Sequence, residues 1–408
     1  MYFKKFLFFI LFLIISVYTI IASEPSSSYK LYGFVRSDIY LNTRKNYEAI
    51  DGLFNIHPLP KDTTSAGIDK NATPNSEMLS VASRLGIDFI GTEILGAKSA
   101  AKIECDFGGV SSNYYLLRLR QAYLKLNWQK TELLIGQTWH PMFANISPVT
   151  PSLSVGSPFQ PFNRSPQIRL KQNLNSNFSV LSAVSYQMQY MSQGPIGSSA
   201  SYMKNGLLPS LHVGIDFKNS NWNSGIGLDG KSLKINHERL NSASAVIYAQ
   251  YANKKFQIRA KSVLGQNMSE YLMIGGYGVS GINSISGEAT YTNLNTSSSW
   301  ISMAYGTKVQ LGVYGGFIQN LGSNKNLLAS STGKFTSYGY GYYQDNQLLM
   351  DNLYRVATNI TYNLTNFRLG FEYELTTAKY GKILATGRLS NPYSVSNHRV
   401  AASISYIF

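Results

Sequence analysis

After residue 24, apolar and polar residues alternate with a period of two over most of the chain, in pieces of roughly 8 to 13 residues, the length a tilted strand needs to cross a bilayer. The stretch 397–408 shows it best. Val400, Ala402, Ile404, Tyr406 and Phe408 share one face, while Arg399, Ala401, Ser403 and Ser405 share the other. In 367–375 the apolar set Phe367, Leu369, Phe371, Tyr373 and Leu375 opposes Arg368, Gly370, Glu372 and Glu374. This period predicts strands at 30–42, 78–90, 96–107, 115–127, 132–139, 167–174, 178–187, 209–218, 222–229, 242–251, 256–264, 297–305, 309–319, 352–362, 367–378 and 397–408. Their connections alternate between short, such as Ser176-Asn177 and Thr307-Lys308, and long, such as 43–77, 140–166, 188–208, 265–296, 320–351 and 379–396. No segment after residue 24 reaches the ~18 consecutive apolar residues of a membrane helix.

A chain in lipid must satisfy every backbone N–H and C=O, so an all-β solution has to close on itself. The expected fold is all-β: a single transmembrane antiparallel β-barrel of about sixteen strands over 24–408, with tight periplasmic turns and long external loops. A soluble sandwich has no reason to keep short and long connections in phase.

Composition fits a wall that is half lipid-facing. Charged residues are 14% of the 408, aromatics 13%, and tyrosines number 29, enough for interfacial girdles. Lys4 and Lys5 precede an apolar run from Phe6 to Ile21 closed by Ala22 and Ser23, so residues 1–23 read as an export signal. The formal charge of +15 falls to +13 when those two lysines are removed, so the basic bias belongs to the exported chain. One cysteine, Cys105, excludes an intramolecular disulfide and any cysteine-built metal cluster; it alternates with Ile103 and Phe107, which places it toward lipid.

The polar faces hold the candidate chemistry. Arg36, Arg84, Arg118, Arg120, Arg169, Lys171, Arg259 and Arg368 converge by parity on one interior, together with Lys261, Arg355 and Arg399, and with Glu104 and Asp106 among the carboxylates. Arginines around a water-filled constriction lower the barrier for anions and raise it for cations. Arg118, Arg120 and Arg169 are the first choices for the narrowest point; the bland alternative is cross-strand pairing. Residues 140–166 hold six of the thirteen prolines, at 141, 148, 151, 158, 161 and 166, which suits a loop folded inward to narrow the channel. Phe408, in phase with Tyr406 and Ile404, looks like the signal that outer-membrane assembly machinery reads on barrel proteins.

Other motifs do not carry a function. Gly276-Tyr-Gly278-Val-Ser-Gly281 matches a dinucleotide fingerprint but lacks a following helical pattern. Five histidines at 57, 140, 212, 237 and 398 show no metal spacing, so no metal or other cofactor is expected. The basic charge accompanies no nucleic-acid-binding signature.

Three stretches within 100–139 resemble the DcaP-like outer-membrane porins: Ala100-Ala-Lys-Ile-Glu-Cys-Asp-Phe107, Arg118-Leu-Arg-Gln-Ala-Tyr-Leu-Lys-Leu126, and Leu134-Ile-Gly136-Gln137-Thr138-Trp139. The resemblance implies a sixteen-stranded homotrimer of a Gram-negative outer membrane, passing small anionic solutes, including dicarboxylates in some members, through a basic constriction fed by Arg118 and Arg120. The expected function is therefore a passive channel for small polar or anionic solutes, not an enzyme, with membrane lipid, lipopolysaccharide and the assembly machinery as its other partners. Two alternatives stay open: a receptor or adhesin scaffold without an open pore, and an outer-membrane hydrolase.

Overall fold

The computed structural model describes residues 27–49, 53–109, 116–144, 146–152, 154, 156–343 and 347–408; the export signal read at 1–23 lies outside them. Sixteen antiparallel strands close into a barrel. They are β1 (Ser28–Asn42), β2 (in two pieces, Asn75–Leu79 and Arg84–Ile94), β3 (Ala97–Asp106), β4 (Arg118–Asn127), β5 (Thr131–Trp139), β6 (Arg164–Asn173), β7 (Phe178–Ser185) and β8 (Ser210–Lys218). The wall continues with β9 (Trp222–Ile235), β10 (Glu238–Ala252), β11 (Phe256–Gln266), β12 (Ala289–Gly306), β13 (Val309–Ser323), β14 (Leu348–Asn363), β15 (Phe367–Ile383) and β16 (Leu389–Ile407). Each predicted strand has its counterpart in this order.

Closure occurs between β1 and β16, in register from Phe34 opposite Ile407 to Asn42 opposite Arg399. The seam ends on Phe408, whose backbone exchanges hydrogen bonds of 3.0 and 3.1 Å with Gly33. Gly33 has no side chain for a reason: a Cβ there would lie 2.9 Å from the Phe408 ring. Along β1 the outward Leu31, Val35, Ile39 and Leu41 are exposed, while the inward Asp38, Tyr40 and Asn42 are buried. The same alternation runs round the wall, giving the lipid-facing apolar band of a membrane barrel. Ile404, Tyr406 and Phe408 all face outward and are exposed. Cys105 is half-buried on the outer side, its Sγ 3.6 Å from the Leu85 carbonyl oxygen.

Several segments expected as loops are strand. Residues 230–241 form a tall hairpin of β9 and β10, and most of 379–396 belongs to β15 and β16. Beyond the bilayer both faces of these extensions are covered, so Leu233, Ile235, Ala378 and Tyr380 are all fully buried and the two-residue period disappears. Within 265–296, the glycine-rich Gly275–Ile282 is a strand rather than a loop, paired with Ser337–Tyr340. Gly276 is needed there, because at φ +150° a Cβ would sit 1.9 Å from the Tyr338 carbonyl oxygen.

One irregularity positions the site. Opposite the step from Glu104 to Cys105, β4 carries Arg120 as an extra residue between Gln121 and Leu119. Such a bulge places consecutive residues on one side. Sequence parity flips there: Leu117 and Leu119 are outward on one side of it, Leu124 on the other. Arg118, Arg120 and Gln121 therefore all reach the interior.

Candidate functional site

Two insertions fill the external half of the lumen. A hairpin, Asn46–Ala49 with Phe54–Pro58, folds in between β1 and β2. The proline-rich segment after Trp139 crosses from β5 to the far wall as a strap, as its composition suggested. Its short helix Pro141–Ala144 and the residues after it are held largely through backbone carbonyls. The Lys261 amine donates to the carbonyls of Met142, Phe143 and Ile146 at 3.1, 3.1 and 2.9 Å. Arg259 donates to Ser147 O at 2.8 Å, Arg36 to Pro151 O at 2.7 Å, and Arg355 to Ser157 O at 2.8 Å. Thr150 bonds Glu372, and Ser298 donates to Phe159 O. Lumen glycines make room: a Cβ on Gly316 would meet the Phe159 ring at 2.7 Å, and one on Gly370 would meet Pro151 at 2.8 Å.

These bonds redistribute the basic residues selected by parity. Arg36 and Arg259 anchor the strap, as Arg355 and Lys261 do, and Arg36 is further paired with Asp38. Arg368 stands exposed at the short-turn end, bonded to Asn363 at 2.9 Å, away from the narrow region. Arg169 and Lys171 stand on β6 in the half nearer the short turns, with Lys171 opposite Glu132. What the fold brings together instead is Arg84, Arg118, Arg120 and Arg164 with Glu104 and Asp106.

Asp106 accepts two bonds of 2.8 Å from Arg118, and Arg120 bridges Glu104 at 2.8 Å and Asp106 at 2.7 Å. Arg84 approaches Glu104 at 3.8 Å. Arg164 is 1% exposed, its guanidinium 4.6 Å from the Trp139 ring centroid, with Nε and Nη1 lacking a hydrogen-bond partner. Four guanidinium groups thus face two carboxylates. Arg164 escaped the parity argument because it is the first residue of β6, where the strap, not the strand, sets direction.

The resemblance motif builds this corner. Gly136, at φ +134°, lies so near β4 that a Cβ would sit 2.2 Å from the Ala122 carbonyl oxygen. Gln137 donates to the carbonyls of Leu119 and Arg120 at 3.1 and 3.3 Å, which supports the bulge, and Thr138 donates to Gln121. Trp139 stacks on Phe143 with centroids 4.0 Å apart. A gap of about 50 Å³ remains between Arg84, Arg118, Arg120, Trp139, Phe54 and Phe162. A second, of about 10 Å³, lies across the strap by Arg36, Pro151, Glu372 and Arg399.

The histidines are less scattered than their spacing suggested. His140 and His212 approach Asp229 at 3.4 and 3.6 Å, and Tyr271 donates to it at 3.2 Å, all buried. Beside them Lys231 meets Glu270, tying a second internal segment to β9. Among the described residues no group of three His, Cys, Asp or Glu side chains is placed to hold a metal ion. His57, on the inward hairpin, is 1% exposed and stacked on Tyr47; burial, aided by the Arg355 charge, lowers its pKa to about 3. Burial lowers His140 to about 4 against the opposing pull of Asp229. Both are therefore neutral when folded, while an unfolded histidine takes a proton below about pH 6.5. Stability is full above that pH and falls on acidification by about 1.4 kcal/mol per pH unit for each histidine, until the folded values are reached. Melting of the detergent-solubilised barrel between pH 7 and 4 checks this: the midpoint drops for the native chain, and His57→Phe flattens the slope.

No protein-family model matches the chain, and no curated protein sequence matches it. Solved structures do. The outer-membrane channel DcaP of Acinetobacter baumannii superimposes with a TM-score of 0.69 at 17% identity, over 94% of this chain and 97% of that one. The fold is that of the outer-membrane porins. This porin fold is also shared with an anion-selective porin from Comamonas acidovorans, with a TM-score of 0.55 at 11% identity, covering 94% and 100% of the two chains. OmpT of Vibrio cholerae in its trimer form follows, with a TM-score of 0.52 at 11% identity, covering 94% and 99%.

Proposed function

We propose that the chain forms a passive outer-membrane channel for small hydrophilic solutes, with a preference for anions such as carboxylates. The observation that carries this is the charge cluster at the gap beside Trp139, where Arg84, Arg118, Arg120 and Arg164 outnumber Glu104 and Asp106 and the Arg164 guanidinium keeps unpaired donors. A fixed positive field in a narrow, low-dielectric passage favours anions. The anion-selective porin among the structures sharing the fold supports the same reading, and the trimer form of another supports a homotrimer. Lipid, lipopolysaccharide and assembly machinery remain its proposed partners, with Ile404, Tyr406 and Phe408 as the assembly signal and 1–23 as the export signal.

Planar-bilayer recording tests it. Discrete conductance steps are expected, with a reversal potential in a salt gradient of the sign that anion flow requires. Silent bilayers would defeat the channel, and a cation-type reversal would defeat the anion preference alone. A second reading, a surface receptor on a closed barrel, is favoured by the crowded lumen: a gap of about 50 Å³ holds only a water or two. It requires silence in the same experiment. A hydrolase finds little support, since His140, His212 and Asp229 are each at most 5% exposed and offer a substrate no approach.

A further inference from the structure

We propose that the short-turn rim of the wall from β7 to β14 is a binding surface for anionic glycerophospholipid headgroups of the periplasmic leaflet. Three short turns along this arc carry exposed lysines: Lys218 before the turn from β8 to β9, Lys254 and Lys255 between β10 and β11, and Lys308 between β12 and β13. The segments 218–222, 252–256, 306–309 and 363–367 contain no carboxylate. No ion pair among the described residues involves any of the four amines, the lysine pairs being those of Lys70, Lys102, Lys125 and Lys231. The external end differs, for its charges carry both signs and pair, as Arg44 does with Asp69, Lys70 with Asp62 and His237 with Glu288.

The lysines stand at a defined depth. Next to them runs an outward aromatic belt: Phe178 packs on Phe217 with centroids 5.1 Å apart, Trp222 on Tyr251 at 5.2 Å, and Phe256 lies opposite Tyr305, which is 59% exposed. Such belts mark the headgroup level of a bilayer. The Lys308 amine lies 5.5 Å from the Tyr362 ring centroid, and Tyr362 alternates with the buried, lumen-facing Thr361, so this charge sits on the lipid side of the wall. The nearest inward carboxylate on β8, Asp216, is buried and bonded to Tyr248 within the lumen. An uncompensated row of amines over an interfacial aromatic belt attracts anionic lipid and not zwitterionic lipid, and salt weakens the attraction.

The test uses the full barrel in phosphatidylcholine vesicles doped with brominated phosphatidylglycerol or, separately, brominated phosphatidylcholine, reading tryptophan quenching, to which Trp222 on this arc is exposed. Phosphatidylglycerol is expected to associate roughly fivefold more strongly at low salt, with the preference lost at about 0.5 M salt. It should also vanish in the Lys218→Gln/Lys254→Gln/Lys255→Gln/Lys308→Gln variant and persist in a Lys204→Gln/Lys325→Gln control on the external loops. Equal quenching by the two lipids in the native barrel overturns the proposal. So does a quadruple variant that keeps its lipid preference. Neither result depends on whether the lumen conducts.

Discussion

In the proposed channel, replacing 147–158 by a short Gly-Ser link is expected to raise single-channel conductance roughly threefold or more, because ion flow follows the narrowest cross-section. The strap is the element that crosses the lumen, and its anchors lie on the far wall: Arg259 on β11, Arg355 on β14 and Glu372 on β15, with Arg36 on β1. The substitution leaves Lys261 its carbonyls at Met142, Phe143 and Ile146, so the chain on the β5 side stays docked. Arg259 and Glu372 come free together with opposite charge. Width therefore rises more than selectivity changes. Bilayer recordings of the native and shortened barrels give both quantities, and an unchanged conductance would mean that the strap does not set the narrow point.

Arg120→Leu has the largest expected effect on stability. Its guanidinium is the bridge between Glu104 and Asp106, on side chains with relative exposures of 7%, 5% and 4%. Removing it leaves buried Glu104 with no guanidinium nearer than Arg84 at 3.8 Å, while Asp106 keeps Arg118, and breaking a buried pair in this way costs about 3–5 kcal/mol. Adding Glu104→Leu removes the carboxylate left without a close guanidinium and recovers a large part of that loss. Urea unfolding in lipid vesicles reads the midpoints of the two variants against the native barrel. Arg120→Leu alone also brings the local balance to three guanidinium groups against two carboxylates, so its reversal potential moves toward the unselective value. A fall in stability without any change of selectivity would make the cluster a structural one.

The wall was legible because lipid on one side and water or polar groups on the other impose a period of two, as in 397–408 and 367–375. Where that contrast ends, so did legibility. The upper parts of β9, β10, β15 and β16 bury Leu233, Leu240, Ala378 and Tyr380 on faces that no longer alternate, and they read as loops. The interior was legible by parity for Arg118 and Arg120, whereas the bulge shows only as a flip of parity between Leu119 and Leu124. Parity says which way a side chain points, but not what it meets. Arg36 and Arg259 point inward as expected and meet strap carbonyls; Arg164 lies buried beside Trp139 and belongs to the strand end that the strap governs. The inward hairpin of Asn46–Ala49 and Phe54–Pro58 had no signal of its own, since its partners, such as Glu374 for Asn55 and Tyr380 for Pro58, are more than 300 residues away.

The placement of those anchors also orders biogenesis. The strap leaves the export channel right after β5, but its bonding partners on β11, β14 and β15 follow 112 to 222 residues later. Only when β16 zips onto β1 are all of them fixed in space, and long-range contacts of this kind form late. Before closure the strap therefore lacks its full set of anchors, and its docking is expected to be among the last steps. A barrel stalled before this step is expected to lack the docked strap and so to resist detergent less well than the closed one.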